Sequence, residues 1–583
     1  MHFLTLIGRF SPHSAQFLLL VAALTGWTST LLAQSTYLSP DEDQYHLIDR
    51  YEATSGVINN QFFTGIKPYK RQAVVAFFGG LDSLGLLKSR ADKFNRDYFT
   101  IDSWEFTRTP ERMSDRILPW SIYKAKSDFG HVDTDGFDLH MSPVLYVGYG
   151  KDNTLSEPVW QNTRGIELRA TIDGKVGVYT FISENQAMLP GYVQQTINPY
   201  RVIPHETLWK DFNKTGVDFI NARAHLSFKA TRHIDIQFGH DRNIIGNGYR
   251  SLVLSDYSAP YLFLKANLKV WKVNYQYMIS RLNADIITNN AGTLIRGRYP
   301  QKFFAFHEAS INIGNKVNLA IFESVIFSPK TKNGTDYFDL GYLNPVIFYR
   351  SVEQQFGSPD NVILGFDAKW IVRKGLTAYG QFIIDEFVVS EILAGNGWWG
   401  NKFAAQVGLK AIDLFGIRNL DLQVEGNLAR PYTYSQGEPY LNYSHYRQPL
   451  AHPVGANFRE AVAIVRYQPH PRVRLSVKGI YYMTGKDATG GTSGNNDYVW
   501  GGDILKLNNV NRPRWEGNVI GQGLRTTVLF SDLTASWMVR HNLFLDLRQI
   551  VRKSDSALPT LNTNTSLTAV ALRLNFAKRN YEF

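Results

Sequence analysis

The chain contains no cysteine, so it carries no disulfide framework, no thiolate metal site and no cysteine nucleophile. Charged residues are only 19% of its 583 positions, and beyond the amino terminus there is no run of roughly 20 apolar residues of the kind a helical membrane protein needs. Catalytic signatures are missing as well. There is no G-x-S-x-G elbow, no HExxH and no Walker loop, and the 14 histidines do not fall in ligand spacing. Gly485 to Gly494 lacks the Lys and Ser or Thr helix start of a phosphate cradle and reads as a flexible loop. His225, His233 and His240 read as lumen or interface residues. A membrane-embedded lipase built from Ser and His is the enzymatic alternative, but the residues favour a chain with no catalysis, no cofactor and no metal.

What is abundant is aromatic: 14% of the chain, with 31 Tyr and 36 Phe, while the mean hydropathy is still negative. That pairing suits many half-apolar strands with aromatic girdles, and the length suits one large barrel with a plug or cap. The net charge of +11 is scattered, and the bases often alternate with apolar residues inside strands. This argues against nucleic acid as a partner and for lipopolysaccharide phosphates or an acidic polysaccharide.

The last stretch, TSLTAVALRLNFAKRNYEF from 565 to 583, alternates with period two. Thr568, Val570, Leu572, Leu574 and Phe576 fall on one side, and Ala569, Ala571, Arg573 and Asn575 on the other. The chain goes on to an aromatic end at Phe583, the usual finish of a bacterial outer-membrane barrel, so we read this stretch as the closing strand. Elsewhere Leu420, Leu422, Val424 and Leu428 oppose Asp421, Gln423, Glu425 and Asn427, and Val473, Leu475, Val477 and Tyr481 oppose Arg474, Ser476 and Lys478. Four consecutive polar positions on one face call for water, hence a polar interior. About eighteen such strands run from 144–150 to 565–576. Tight turns at Asp173–Gly174, Thr231–Arg232, Gly314–Asn315, Lys374–Gly375 and Pro469–Pro471 alternate with long connections at 185–218, 328–361, 430–457 and 485–522. The expected fold is an all-β, transmembrane antiparallel barrel in the outer membrane, occupying 144–583, with both termini and the short turns periplasmic and the long loops extracellular.

Residues 1–34, with Arg9 and an apolar core from Phe17 to Leu24, read as a signal peptide cleaved near Ala33 or Gln34, a membrane anchor being the alternative. Residues 35–143 carry helical stripes, Leu47, Ile48 and Tyr51, then Val74, Val75, Phe77, Phe78, Leu81 and Leu84. They predict a small, mostly helical domain, periplasmic or folded into the lumen. Asp128 to Asp138 reads as a polar lead-in to the first strand, with a calcium loop as the sharper alternative.

Trp398 and Trp399 share one outer loop, and Tyr432, Tyr434, Tyr440, Tyr443 and Tyr446 crowd the next, beside Arg430, Glu438, His445 and Arg447. Aromatic faces stack on sugar rings and Arg pairs with uronic acid carboxylates. Trp398, Trp399, Arg430, Tyr432, Tyr434, Tyr440 and Arg447 are therefore the polysaccharide-binding candidates, the alternative being girdle or loop packing.

Three separated stretches, GHDRNIIGNGYRSLVLSDYSAPYLFLK (Gly239 to Lys265), LGYLNPVIFYRSVEQQFGSPDNVILGFDAKW (Leu340 to Trp370) and YRQPLAHPVGANFREA (Tyr446 to Ala461), resemble the capsule assembly protein Wzi family. KPYKR (Lys67 to Arg71) is similar to its Bacteroidetes branch, which includes gliding-motility-linked proteins. The resemblance implies a non-enzymatic surface lectin that holds capsular or other exported polysaccharide, with a plugged lumen. It also marks Arg242, Gly246, Gly248, Arg250, Asn344, Pro345, Glu353, Asp360, Asn361 and Asp367 as family-motif and lumen positions, whose charges would pair across the lumen. A diffusion porin and the barrel of a secretion or gliding apparatus, with protein partners, are the competing readings.

Overall fold

The computed structural model describes residues 36–583 except 42, 108–111, 115–121, 214, 285–299, 329–339, 347, 352–359, 439 and 488–497. The signal-peptide reading of 1–34 lies outside the described residues, as does most of Gly485 to Gly494. Eighteen strands close into one antiparallel wall. In chain order they begin β1 (Phe137–Asp152), β2 (Val159–Ile172), β3 (Val176–Met188), β4 (Gly216–Lys229), β5 (Ile234–Asp241) and β6 (Tyr261–Val270). Next come β7 (Val273–Asn283), β8 (Gln301–Ile313), β9 (Val317–Phe327), β10 (Asn361–Arg373), β11 (Leu376–Glu386) and β12 (Lys402–Ala411). The wall ends with β13 (Leu420–Ala429), β14 (Phe458–His470), β15 (Val473–Lys486), β16 (Leu524–Arg540), β17 (Leu543–Ser556) and β18 (Thr563–Leu574). β18 pairs with β1, Leu572 opposite Val147 and Leu574 opposite Leu145, which leaves the wall no free edge.

Alternation decides which face is which. Outward residues such as Val147, Ile220, Ile321, Val407, Leu529 and Val570 are exposed and apolar, the belt a hydrocarbon layer requires. Among the described residues no helix is long and apolar enough to cross a membrane. The inward polar row Asp421, Gln423, Glu425 and Asn427 is buried. Protein rather than water meets it: Arg50 reaches Asp421, and the backbone N–H groups of Tyr249 and Arg250 donate to Glu425 at 2.6 and 3.0 Å.

Those partners come from both ends of the barrel. At the short-turn end sit helices α1 (Tyr45–Ser55), α2 (Arg71–Ser83) and α3 (Arg90–Asp102). Val74, Phe77, Phe78 and Leu81 form the buried stripe of α2, with Leu84 beyond its end and 72% exposed; α3 starts with a Ser89–Asp92 capping box. Their core includes the wall residues Met538 and Phe544, and backbone bonds fix them to turns, from Ile58 N–H to the Asn315 carbonyl at 2.8 Å and from Gly375 N–H to the Ala53 carbonyl at 2.9 Å. At the other end the long connections fold inward. Leu252, Val253, Leu254, Tyr434, Tyr443 and Leu450 pack on Phe263, Phe304, Phe306, Phe322 and Ile363 of the wall, so this part of the lumen is apolar. The stretch from Asp128 forms a hairpin into β1. Asp128 is fully buried, accepting from Trp104 Nε1 at 2.5 Å and lying 3.0 Å from His140 Nδ1.

The reading of the carboxy terminus changes as well. The closing strand stops at Leu574, and residues 575–583 turn into the lumen instead of continuing the wall. Arg579 pairs with Asp41 and Glu206, Glu582 with Lys478 and Arg250, and Phe583 packs among Tyr192, Tyr257 and Tyr581. Lys578, Asn580 and Glu582 break the apolar side that a longer strand would need against lipid.

Asp41 is the centre of this arrangement, facing Arg223, Arg242 and Arg579. Burial alone would raise its carboxyl; the three guanidinium groups overcome that and hold it well below the usual carboxylate range. A carboxyl depressed by folding adds stability above its unfolded pKa, about 3.9, and loses it as pH falls through the folded value. The temperature at which the folded band converts in detergent gels should therefore fall on acidification below about pH 5. Asp41→Asn should start lower and lose that part of the pH dependence. Independently, Glu52→Ala leaves the buried Lys369 without its carboxylate, 2.7 Å away, and should cost about 3–5 kcal/mol, read as a lower conversion temperature at neutral pH.

Candidate aromatic and arginine site on the long-loop rim

Three connections build this part of the rim: 387–401, containing the short helix α4 (Val389–Ala394), the described residues of 430–457, and 498–523. A backbone clip joins the first to the third. Gly517 N–H donates to Asn396 O at 2.8 Å, Asn518 N–H to Gly397 O at 2.9 Å and Trp399 N–H to Trp515 O at 2.9 Å. Gly397 has φ +70, and a Cβ there would meet the Asn518 nitrogen at 2.9 Å, so the clip needs glycine.

The clip sets the indoles of Trp399 and Trp515 6.0 Å apart at 78°. Between them lies the Arg512 guanidinium, 3.7 Å from the Trp399 ring centroid and 4.2 Å from that of Trp515, with Nη1 donating to the Asn508 carbonyl at 2.6 Å. Trp398 adjoins Trp399 at 5.8 Å, and Arg430 Nη2 donates to the Trp398 carbonyl at 3.2 Å. Arg514 lies 5.2 Å over Trp500. Trp515 is 65% exposed, Trp398 and Trp399 are half-buried, and partial burial lowers both Arg430 and Arg512 from the ordinary guanidinium value. The arrangement offers indole faces beside two partly desolvated cations, a surface that can stack on a ring and pair with an anion.

The expected candidates divide. Trp398, Trp399 and Arg430 belong to this cluster. Tyr432 meets Trp399 edge-on at 6.0 Å but is fully buried, its hydroxyl donating to Val499 O at 2.9 Å. Tyr434 is also buried, its hydroxyl donating to Leu252 O and its N–H to Asp385. Tyr432 ties the 430–457 connection to the rim, and Tyr434 holds it in the lumen. Tyr440 is half-buried, and Arg447 lies 5.7 Å over Tyr200 of another connection. Arg512, Arg514, Trp500 and Trp515 were not expected. The same aromatic-and-arginine signal was present in NRPRWEG, between Asn511 and Gly517, inside a connection read only as glycine-rich.

The motif positions divide too. Arg242 lies in the lumen with Asp41, and Arg250 bridges Glu460 at 3.1 Å and Glu582 at 3.2 Å. Gly246 (φ +123) bonds Gly65, and a Cβ on Gly248 would meet Gln406 at 2.4 Å. Asn361 donates to Leu441 O at 2.9 Å and Asp367 accepts from Asn247 at 2.7 Å, both inside. Asn344, Pro345 and Asp360, expected in the lumen, lie instead on the outer face of the wall: Tyr342 donates to Asp360 and packs with Phe327 and Val325, outward residues of β9. Glu353 lies outside the described residues. Among the described residues no group of three or more His, Asp or Glu side chains is placed to hold a metal ion.

Fold and rim together define a transmembrane barrel of the outer-membrane type, filled from both ends, with an aromatic and arginine surface on one rim. It is similar to Wzi of Escherichia coli, an outer membrane protein involved in group 1 capsule assembly and described as a carbohydrate-binding β-barrel, at 12% identity and TM-score 0.53 over 94% of this chain and 100% of that one. OprD of Pseudomonas aeruginosa (10% identity, TM-score 0.39, 76% and 94% covered) and OccK8 (OprE) of the same organism (9%, 0.41, 75% and 97%) also match. No protein-family model and no curated protein sequence matches the chain. At these identities the likeness speaks to the fold alone.

Arg512→Ala should loosen the two indoles it separates, a change of about 0.5–1 kcal/mol for an exposed cation–π contact. A rise in the acrylamide-quenchable part of the tryptophan emission, with the barrel still folded, is the expected result.

Proposed function

We propose that this chain is an outer-membrane surface protein that binds and anchors capsular or another exported polysaccharide, without catalysis. The rim faces outward and the short turns face the periplasm, while the carboxy-terminal residues lie inside the lumen. The observation that carries this reading is the Trp399–Arg512–Trp515 cluster, reached by solvent at Trp515, on a barrel whose lumen is occupied from both ends. A pore function would need the lumen; a surface function needs only the rim. Sugar rings offer C–H faces to indoles, and a uronic acid carboxylate would relieve the partial desolvation of Arg430 and Arg512. The resemblance of three sequence stretches to the Wzi family supports the same assignment, and KPYKR is similar to that family's Bacteroidetes branch. The scattered excess of basic residues fits a surface that also meets lipopolysaccharide phosphates.

Deleting the gene should move polysaccharide from the cell to the medium while synthesis continues; an unchanged cell-bound fraction contradicts the proposal. With purified protein, Trp515→Ala and Arg512→Ala should each weaken binding to that polysaccharide roughly tenfold, about 1.4 kcal/mol.

A further inference from the structure

The outer face of the wall carries one polar row that does not belong against lipid. Tyr277 of β7, His307 of β8 and Glu323 of β9 lie directly opposite one another in register, among outward apolar neighbours such as Leu319 and Ile321. His307 Nε2 is 3.1 Å from Glu323 Oε2, and Glu323 is 2% exposed although it points out of the barrel. What covers the row is Tyr342, Pro345, Tyr349 and Arg350, from the connection after β9.

Residues 340–346 and 348–351 lie along this outer face, from the long-loop rim down to Tyr275, the third residue of β7 above a short turn. Tyr349 stacks on His307 at 4.3 Å and 11°, and Tyr342 packs on Phe327 at 4.6 Å. Glu323, Tyr277 and Tyr275 of the wall each answer a backbone group of the segment. Glu323 accepts from Tyr349 N–H at 2.7 Å and Arg350 N–H at 3.0 Å, Tyr277 donates to Tyr342 O at 3.1 Å, and Tyr275 donates to Pro345 O. Asn344 Oδ1 accepts from Val346 N–H at 3.1 Å, and Pro345 removes one donor. On the far side the segment presents Leu340, Leu343, Val346 and Phe348, from 42 to 83% exposed.

Irregular backbone is tolerated at membrane depth only where its polar groups are satisfied by protein, and here the wall supplies those partners. We infer that residues 340–346 and 348–351 form a re-entrant strap lying in the hydrocarbon layer, that Leu340, Leu343, Val346 and Phe348 contact acyl chains, and that His307 and Glu323 anchor it. Acyl chains are the occupant that fits, because Leu340, Leu343, Val346 and Phe348 make up most of the exposed side and continue the outward residues of β9, with Asn344 and Arg350 as its exposed polar members.

The chain has no cysteine, so Val346→Cys or Phe348→Cys in the full-length protein takes a single nitroxide. In proteoliposomes both labels should be reached by oxygen and shielded from a water-soluble nickel chelate, as a label at Ile321→Cys on the wall is. A label at Val510→Cys, exposed on a long connection, should show the reverse. Labels at 346 and 348 that follow position 510, or that exclude both probes because protein covers them, overturn the proposal. Adding Glu323→Ala should raise the mobility of the label at 348 several-fold and leave that at 321 unchanged; no change there removes the anchor.

Discussion

The structure depends on one electrostatic requirement: a wall with charges on its inner face, closed around a protein-filled lumen, must find a partner for each of them. Separating a buried ion from its counter-ion costs several kcal/mol, far more than an exposed pair is worth. The partners come from outside the wall. Acids of the amino-terminal segment meet wall bases at Asp49–Lys410, Glu52–Lys369 and Asp43–Arg573, and Glu582 of the tail meets Lys478. Arg50 reverses the pattern against Asp413 and Asp421. The wall and its filling are thus complementary in charge.

That requirement places the chemistry. Helices occupy one end of the barrel and folded connections the other, and between them remains a cavity of about 290 Å³ lined by charged groups including Asp43, Asp49, Arg466 and Lys578. The interior is committed to holding the barrel together. What is left free to meet a ligand is the rim, where a three-bond clip sets two indoles and a guanidinium side by side.

The strands were legible because period-two alternation survives one-sided lipid exposure; the tight turns read at Gly314–Asn315 and Lys374–Gly375 do join β8 to β9 and β10 to β11. Helical spacing in Val74, Phe77, Phe78 and Leu81 was equally plain. The fate of inward polar residues was not. Asp421 and Glu425 read as facing water, because a sequence shows that a carboxylate needs a partner and not that Arg50 or the Tyr249 amide will supply it. Tyr434 shows the same limit on the rim, since an aromatic in a long connection reads alike whether it packs inward or waits for a sugar. Asn344 and Pro345 lay outside the wall because a connection can pass on either side of it, and only the outward Glu323 tells which.

The most direct test of a lumen filled by its own chain is electrical. Purified protein reconstituted in a planar bilayer is predicted to insert without producing conductance steps. Long-lived, ohmic steps at neutral pH and low voltage would contradict the account, because an open path would mean that the inner face is neutralised by water and ions and not by the segments placed there.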